Sequence, residues 1–129
     1  MTSVSIIIPA YNESARLPKT LEDLTDWLTT QNNFYLKEVI VVDDGSSDGT
    51  TKVIKPFTGK HPLKVLTNNK NKGKGHAVRR GVFAAQGELI LMYDADGATS
   101  LDDLPKLVAE AAHFEVVIGS RLAGPGQEI

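Results

Sequence analysis

The chain has 129 residues, a hydrophobic share of 41% and a net charge of −2. That describes one domain able to bury its own core, and it excludes the global basic field of a nucleic-acid binder. It holds no cysteine, which excludes disulfides and thiol catalysis, while no apolar run nears the ~20 residues of a spanning helix and no signal peptide precedes the first strand-like run.

Strand-like and helix-like segments alternate. Val4 to Ile8 is β-branched and runs into Pro9. Leu17, Leu21, Leu24 and Leu28 then mark one face of a helix, with Pro18 placed where only a first turn accepts it. Trp27, at the end of that helix, reads as packing. Glu38 to Asp43 predicts a second buried strand that ends in carboxylates. Asp48 to Lys55 predicts a short helix stopped before Pro56, and Leu63 to Thr67 a third strand. Gly75 to Gln86 carries Val78, Val82 and Ala85 at helical spacing, with Gly87 as its stop. Glu88 to Tyr93 predicts a fourth strand, again ending in carboxylates. Ser100 and Asp103 form a variant capping box before Leu104, Leu107, Val108 and Ala111, and Val116 to Ile118 predicts a fifth strand. The turn-rich stretch from Leu122 to Ile129 then reads as a chain cut shortly after that strand.

Near-continuous apolar strands between amphipathic helices are what a mainly parallel sheet covered on both faces requires. Right-handed crossovers put every strand's carboxyl end on one edge, where such sheets bind ligands. The polar segments after the strands, residues 9–13, 43–50, 94–99 and 119–121, are therefore expected to converge.

Asp94-Ala-Asp96 directly follows a strand. Two bare charges about 4 Å apart repel by ~4 kcal/mol at an effective dielectric near 20. A divalent cation removes that repulsion, and oxygen-only ligands suit Mg²⁺ or Mn²⁺. The plainer alternative is that one Asp caps a turn and the other is solvated. Asp44 stands at what reads as an exposed strand end, able to bind a base or ribose, while Asp48 or Ser47 caps the next helix. An EF-hand reading of Asp44 to Lys55 fails because Lys55 stands where the bidentate Glu must be. Asn71-Lys-Gly-Lys-Gly75 is either a phosphate cradle that includes Lys74 or a flexible turn with solvated lysines; it fits neither the Walker loop nor the dinucleotide fingerprint. Arg121 either pairs with a diphosphate or is an ordinary surface arginine. His61, His76 and His113 show no ligand spacing.

Ile8-Pro-Ala-Tyr-Asn-Glu13, Val42-Asp-Asp-Gly-Ser46, Asp94-Ala-Asp96 and Ile118-Gly-Ser-Arg121 occur in the order and spacing of family 2 glycosyltransferases. Together with Asn71-Lys-Gly-Lys-Gly75, Asp94-Ala-Asp-Gly-Ala-Thr99 and Ile118-Gly-Ser-Arg121, the chain over almost all its length resembles the dolichyl-phosphate glucosyltransferase branch, close to the dolichyl-phosphate mannose synthases. The resemblance implies a Rossmann-like α/β domain of the GT-A fold, with residues 1–129 as its nucleotide-sugar-binding part. It implies that Pro9, Ala10, Tyr11 and Glu13 line the nucleotide, that Val42 and Asp44 hold base and ribose, and that Lys74, Asp94 and Ala95 contact the donor. Asp96, with Asp94, is expected to hold Mg²⁺ or Mn²⁺, and Asp96 and Arg121 to act on the diphosphate in catalysis. Ala98 stands where mannose synthases usually have Gln, which favours glucose. UDP-glucose is then the expected donor and a polyprenyl phosphate the expected acceptor. Inversion at the sugar, a cytoplasmic location at a membrane face and peripheral membrane contact complete the expectation.

A family 2 transferase with another sugar or acceptor is one alternative, and two further rivals stand beside it. A nucleotidyltransferase needs a glycine-rich basic loop straight after its first strand, where this chain has Pro9 to Glu13. A nucleotide-sugar-binding module without turnover is the other.

Overall fold

The computed structural model describes residues 2–32, 34–59, 62–97, 101–103, 105–106 and 109. Contacts divide the chain into two units, Met1–Ala98 and Thr99–Ile129. The second contributes a 3-10 turn at Leu101–Asp103. The first is an α/β unit with strands β1 (Thr2–Ala10), β2 (Phe34–Asp43), β3 (Leu63–Thr67) and β4 (Leu89–Met92), and helices α1 (Leu17–Leu28), α2 (Thr50–Ile54) and α3 (Lys74–Ala84). The predicted fifth strand lies outside the described residues, as do Leu104, Leu107, Val108 and Ala111 of the predicted helix, while Pro105, Lys106 and Ala109 within it are helical.

The sheet is parallel throughout, in the order β3-β2-β1-β4. That order follows from right-handed crossovers. The steps β1 to β2 to β3 run one way, so α1 and α2 share a face. The step from β3 back to β4 runs the other way and puts α3 on the opposite face. Ala77 of α3 packs there with Ile7, Ile40 and Val42, all fully buried. Gly81 lets α3 sit close, since a Cβ at that position would lie 2.5 Å from Ile7 Cγ2. The alternate residues Ile6, Ile8, Val39 and Val41, also buried, face the other way.

Boundaries shift from the expected ones for local reasons. α2 ends at Ile54, before Pro56 as expected, but starts at Thr50 rather than Asp48, and Pro56 sits in a 3-10 turn, Lys55–Phe57, that follows it. Gly87 is not the stop of α3, which ends at Ala84 with Ala85 extended. Its small size serves packing, because a Cβ on Gly87 would meet the Ser5 backbone nitrogen at 2.6 Å. β2 begins at Phe34, whose ring lies tilted against Trp27 with centroids 6.3 Å apart. Towards the amino ends of the strands, buried Glu38 accepts from Ser5 Oγ at 2.8 Å and the Gln86 N–H at 2.6 Å, with Lys64 Nζ 2.7 Å from its other oxygen. Among the described residues no helix is long and apolar enough to cross a membrane.

Candidate functional site

Strand order reverses about β1, and in parallel sheets the crevice that takes a ligand is found at such a reversal, here the carboxyl ends of β1 and β4. The loops after β1 and β2 are knitted together beside it. The Asn12 N–H donates to Ser46 Oγ at 2.8 Å, and the Ser47 N–H donates to Asn12 Oδ1 at 2.9 Å. Asn12 takes the left-handed conformation (φ 53°), which asparagine tolerates better than most residues. The Glu13 N–H reaches Thr50 Oγ1 and the Ser14 N–H reaches Asp48 Oδ2, each at 3.1 Å. Asp48 also accepts from the Thr50 N–H, so it serves the start of α2 from just before Gly49, which occupies the cap position.

The Asp94-Ala-Asp96 loop hangs on both β1 and α1. The Tyr93 N–H donates to Ile7 O at 2.9 Å, and the Gly97 N–H closes a turn on Asp94 O at 3.0 Å. Thr20 Oγ1, on α1, donates to Ala95 O at 2.8 Å. Each carboxylate has a cation of the chain beside it. Lys74 Nζ lies 3.2 Å from Asp94 Oδ1 and Arg16 Nη1 3.9 Å from Asp96 Oδ2. Arg16 is aimed by a two-point pairing with Glu13, at 2.8 and 2.6 Å. Beneath the loop, Tyr93 is buried, and burial together with Asp23, Asp94 and Asp96 pushes its hydroxyl's pKa up.

The donor set fits a hard divalent cation. Asp94 and Asp96 are both part-exposed and supply oxygen only. No group of three or more His, Cys, Asp or Glu that could hold a metal exists among the described residues. One or two carboxylates, with water and phosphate oxygens completing the shell, is the pattern Mg²⁺ favours.

Asp44 differs from expectation. Its carboxylate is not at an exposed strand end; the residue is 3% exposed and turned inward. Oδ1 accepts from Asn68 Nδ2 at 2.8 Å and the Lys72 N–H at 3.0 Å, and Oδ2 from the Gly73 N–H at 2.9 Å. Burial alone works to raise its pKa, but these hydrogen bonds and His76 outweigh it and the net shift is downward. The fold allows this because Gly45 (φ +76°) presses onto the Lys70–Asn71 backbone, where a Cβ would lie 2.5 Å from Asn71 N. The glycine-rich loop is thus neither a solvated turn nor a free cradle at these two positions: the Lys72 and Gly73 N–H groups already hold an anion of the chain.

Pro9 and Ala10 end β1, and Tyr11, directly after the strand, is half-exposed. Val42 is fully buried, its side chain in the α3-side core, and Ala95 is buried with its carbonyl engaged by Thr20. Arg121, Ala98, His61 and His113 lie outside the described residues. Sequence reasoning missed Thr20, Asn12 and Asn68. Their contacts reach 75, 34 or 35, and 24 residues along the chain, and no local spacing signals them.

The sequence profile described as glycosyl transferase family 2 matches residues 5–128. The chain belongs to that family. Among curated relatives it is 44% identical over 110 residues to the dolichyl-phosphate beta-glucosyltransferase of Mus musculus, covering 81% of this chain and 34% of the relative. It is 39% identical over 129 residues to the enzyme of that name from Dictyostelium discoideum, covering 92% of this chain and 39% of the relative. The chain therefore spans between a third and two-fifths of the length of these relatives. Among solved structures, the mannosyltransferase PcManGT of Pyrobaculum calidifontis, in complex with GDP-Man and Mn²⁺, superposes with a TM-score of 0.68 at 29% identity, over 81% of this chain and 31% of that one. TarS 1–349 of S. aureus with UDP-GlcNAc gives 0.65 at 30% identity, over 84% and 32%. The parallel α/β unit is that of the GT-A glycosyltransferases in this family.

Proposed function

We propose that this chain is the donor-binding part of an inverting, metal-dependent hexosyltransferase that moves glucose from UDP-glucose to a polyprenyl phosphate of the dolichyl type. The observation that carries the reading is the pair Asp94 and Asp96, held at the β1/β4 crevice by Ile7 and Thr20. The names of the curated relatives supply the sugar and the lipid phosphate.

In this reading Asp94 and Asp96 hold Mg²⁺ or Mn²⁺, which when bound offsets the charge of the donor diphosphate. Tyr11, directly after β1, offers a ring face to the base. Asp44 keeps the loop of Lys72 to Lys74 closed beside it, with one lone-pair position left for a ribose or base donor. Lys74, already within reach of Asp94, faces the side on which the phosphates arrive. Arg121 is proposed to approach those phosphates. The enzyme is proposed to work at the cytoplasmic face of a membrane.

Calorimetry with UDP-glucose tests this reading. Binding is expected to be tighter with Mn²⁺ than with a chelator, and Asp96→Ala is expected to abolish the difference. Equal metal dependence in both proteins removes Asp96 from the ligand role. The second reading, donor binding without turnover by these 129 residues, is favoured by the chain covering 34% of the mouse relative. Incubation with labelled donor and polyprenyl phosphate separates the two.

A further inference from the structure

From Thr67 to Gly87 the chain carries Lys70, Lys72, Lys74, Arg79 and Arg80 and no Asp or Glu, although the whole chain has a net charge of −2. Lys74, Arg79 and Arg80 lie on α3, and Lys70 and Lys72 in the loop that leads into it from β3. β3 is an edge strand of the described sheet, and a groove of about 540 Å³ opens between it and α3. Its lining includes Asn69, Lys72, His76, Arg79 and Phe83. Arg80 is spent on structure, donating to Thr67 O at 2.7 Å and Asn68 Oδ1 at 2.8 Å, and Lys74 faces Asp94. Lys70, Lys72 and Arg79 are exposed. Within this cationic face stands Phe83, 78% exposed, with Val82 beside it at 39%. The Arg79 guanidinium lies over the Phe83 ring at 5.5 Å.

From this arrangement we infer that the outward face of α3 docks on an anionic membrane surface. His76, Arg79 and Phe83 follow one another at helical steps of three and four, so they form a single outward stripe. Arg79 in this stripe and Lys72 in the lining of the same groove put cations around an exposed ring, which matches both parts of a bilayer interface. The cations meet the anionic headgroups, each adding attraction, and the ring enters the boundary of the acyl chains. A free phosphate in the groove needs the cations but has no use for Phe83, whose ring sits better in lipid than in water. The inference deepens the lipid-phosphate reading by naming the surface that meets the bilayer, and its chemistry stands without that reading.

Sedimentation of the chain with vesicles tests it, since vesicle binding needs neither donor nor prenyl phosphate. Phosphatidylcholine alone is expected to leave the chain in solution. Phosphatidylserine and phosphatidylcholine in equal parts are expected to carry it down, less so as salt rises. Arg79→Gln is expected to weaken the partition about fivefold, and Phe83→Ser about tenfold. Both residues are exposed, and unchanged melting and UDP-glucose binding of the variants exclude a folding defect. Equal partition onto neutral and anionic vesicles overturns the inference, as does anionic binding untouched by both substitutions. Arg79-dependent binding of tripolyphosphate without vesicle binding overturns it too, and makes the groove a site for free anions. Loss of UDP-glucose binding with vesicle binding intact would count against the donor reading alone.

Discussion

The carboxylate of Asp44 accepts a hydrogen bond at 2.9 Å from the N–H of Gly73, across 29 residues of chain. One buried side chain thereby ties the loop after β2 to the start of α3. Asn68 and the Lys72 N–H complete the arrangement. The residue in the middle of the family-like Val42-Asp-Asp-Gly-Ser46 motif thus builds the site's wall, and any contact with a nucleotide comes in addition.

Asp44→Ala should therefore reduce stability as well as nucleotide affinity. It leaves the Lys72 and Gly73 N–H groups and the Asn68 amide without their acceptor, and an orphaned buried donor costs about 1–3 kcal/mol. Chemical denaturation is expected to show a loss of about 2–4 kcal/mol, since part of the loop can turn to water. A variant as stable as the parent would show that these hydrogen bonds are replaced at no cost.

Gly45 and Gly49 separate two effects of substituting a left-handed glycine. Both have positive φ, +76° and +81°, so alanine strains the backbone at each by about 1–2 kcal/mol. At Gly49 nothing lies within 4 Å of the added Cβ, and strain is the whole effect. At Gly45 the Cβ also meets the backbone at Asn71 N and Lys70 C, both at 2.5 Å. Gly45→Ala is expected to cost about 4 kcal/mol or more, among the largest single-residue effects. Melting curves of the pair measure the difference, and equal losses would mean that the Lys70–Asn71 segment yields freely.

Thr20→Val tests whether α1 positions the Asp94-Ala-Asp96 loop. The swap keeps the shape and removes the hydroxyl that donates to Ala95 O. A stability loss of about 1 kcal/mol is expected for the hydrogen bond. If the bond also holds the carboxylates in place, Mn²⁺-dependent UDP-glucose binding weakens while binding in chelator does not. A parallel drop in both would assign Thr20 to folding only.

The parallel sheet was legible because strands buried on both faces write unbroken apolar runs, as Val39 to Val42 does, and because crossover handedness leaves little choice of topology. The Leu spacing of α1 placed that helix from Leu17 to Leu28. Asp94 and Asp96 were legible as a pair because two carboxylates after a strand advertise their own repulsion. What escaped was the partnering of polar groups between distant loops. Asp44 reads as exposed from its neighbours in sequence, and only the close approach of Gly45 to Asn71 turns it inward. Thr20 occupies an ordinary position within a helix, and its second acceptor, Ala95 O, is supplied by another loop.

Acid should loosen the loops around the crevice in a predictable sense. Asp48 is held down to about 2, first by the Thr50 hydroxyl and also by the Ser14 and Thr50 N–H groups, with some desolvation acting against them. A carboxylate whose folded pKa is depressed stabilises the fold fully above its unfolded value, about 3.9, and loses that contribution as pH falls through the folded value. Asp44 and Glu38 are shifted in the same direction. Stability should therefore decline from about pH 4 towards about pH 2, and Asp48→Asn should flatten that decline while lowering stability at neutral pH. An acid limb of unchanged slope in Asp48→Asn would show that other carboxylates carry it.

Under the proposed reading the attacking group is a lipid phosphate and not a sugar hydroxyl. A sugar hydroxyl must lose a proton as it attacks, which is why enzymes acting on hydroxyls set a carboxylate or histidine beside it. A phosphate monoester has its second pKa near ~6 and is already largely anionic at neutral pH. The acceptor phosphate therefore needs no base from the protein, and the demanding part is the departing diphosphate. Asp96 and Arg121 are the residues proposed for that side. Removing one such stabilising contact typically costs about 10²–10³ in kcat. Asp96→Ala and Arg121→Ala are accordingly expected to lower turnover far more than any single change at His61, His76 or His113. The pH–rate profile is expected to follow ionisation of the acceptor phosphate, so that a phosphonate acceptor of higher pKa moves the rising limb to higher pH by the same interval. A limb that stays in place with the phosphonate would reveal a base on the protein. Transfer to a neutral prenol as fast as to prenyl phosphate would remove both this mechanism and the lipid-phosphate acceptor.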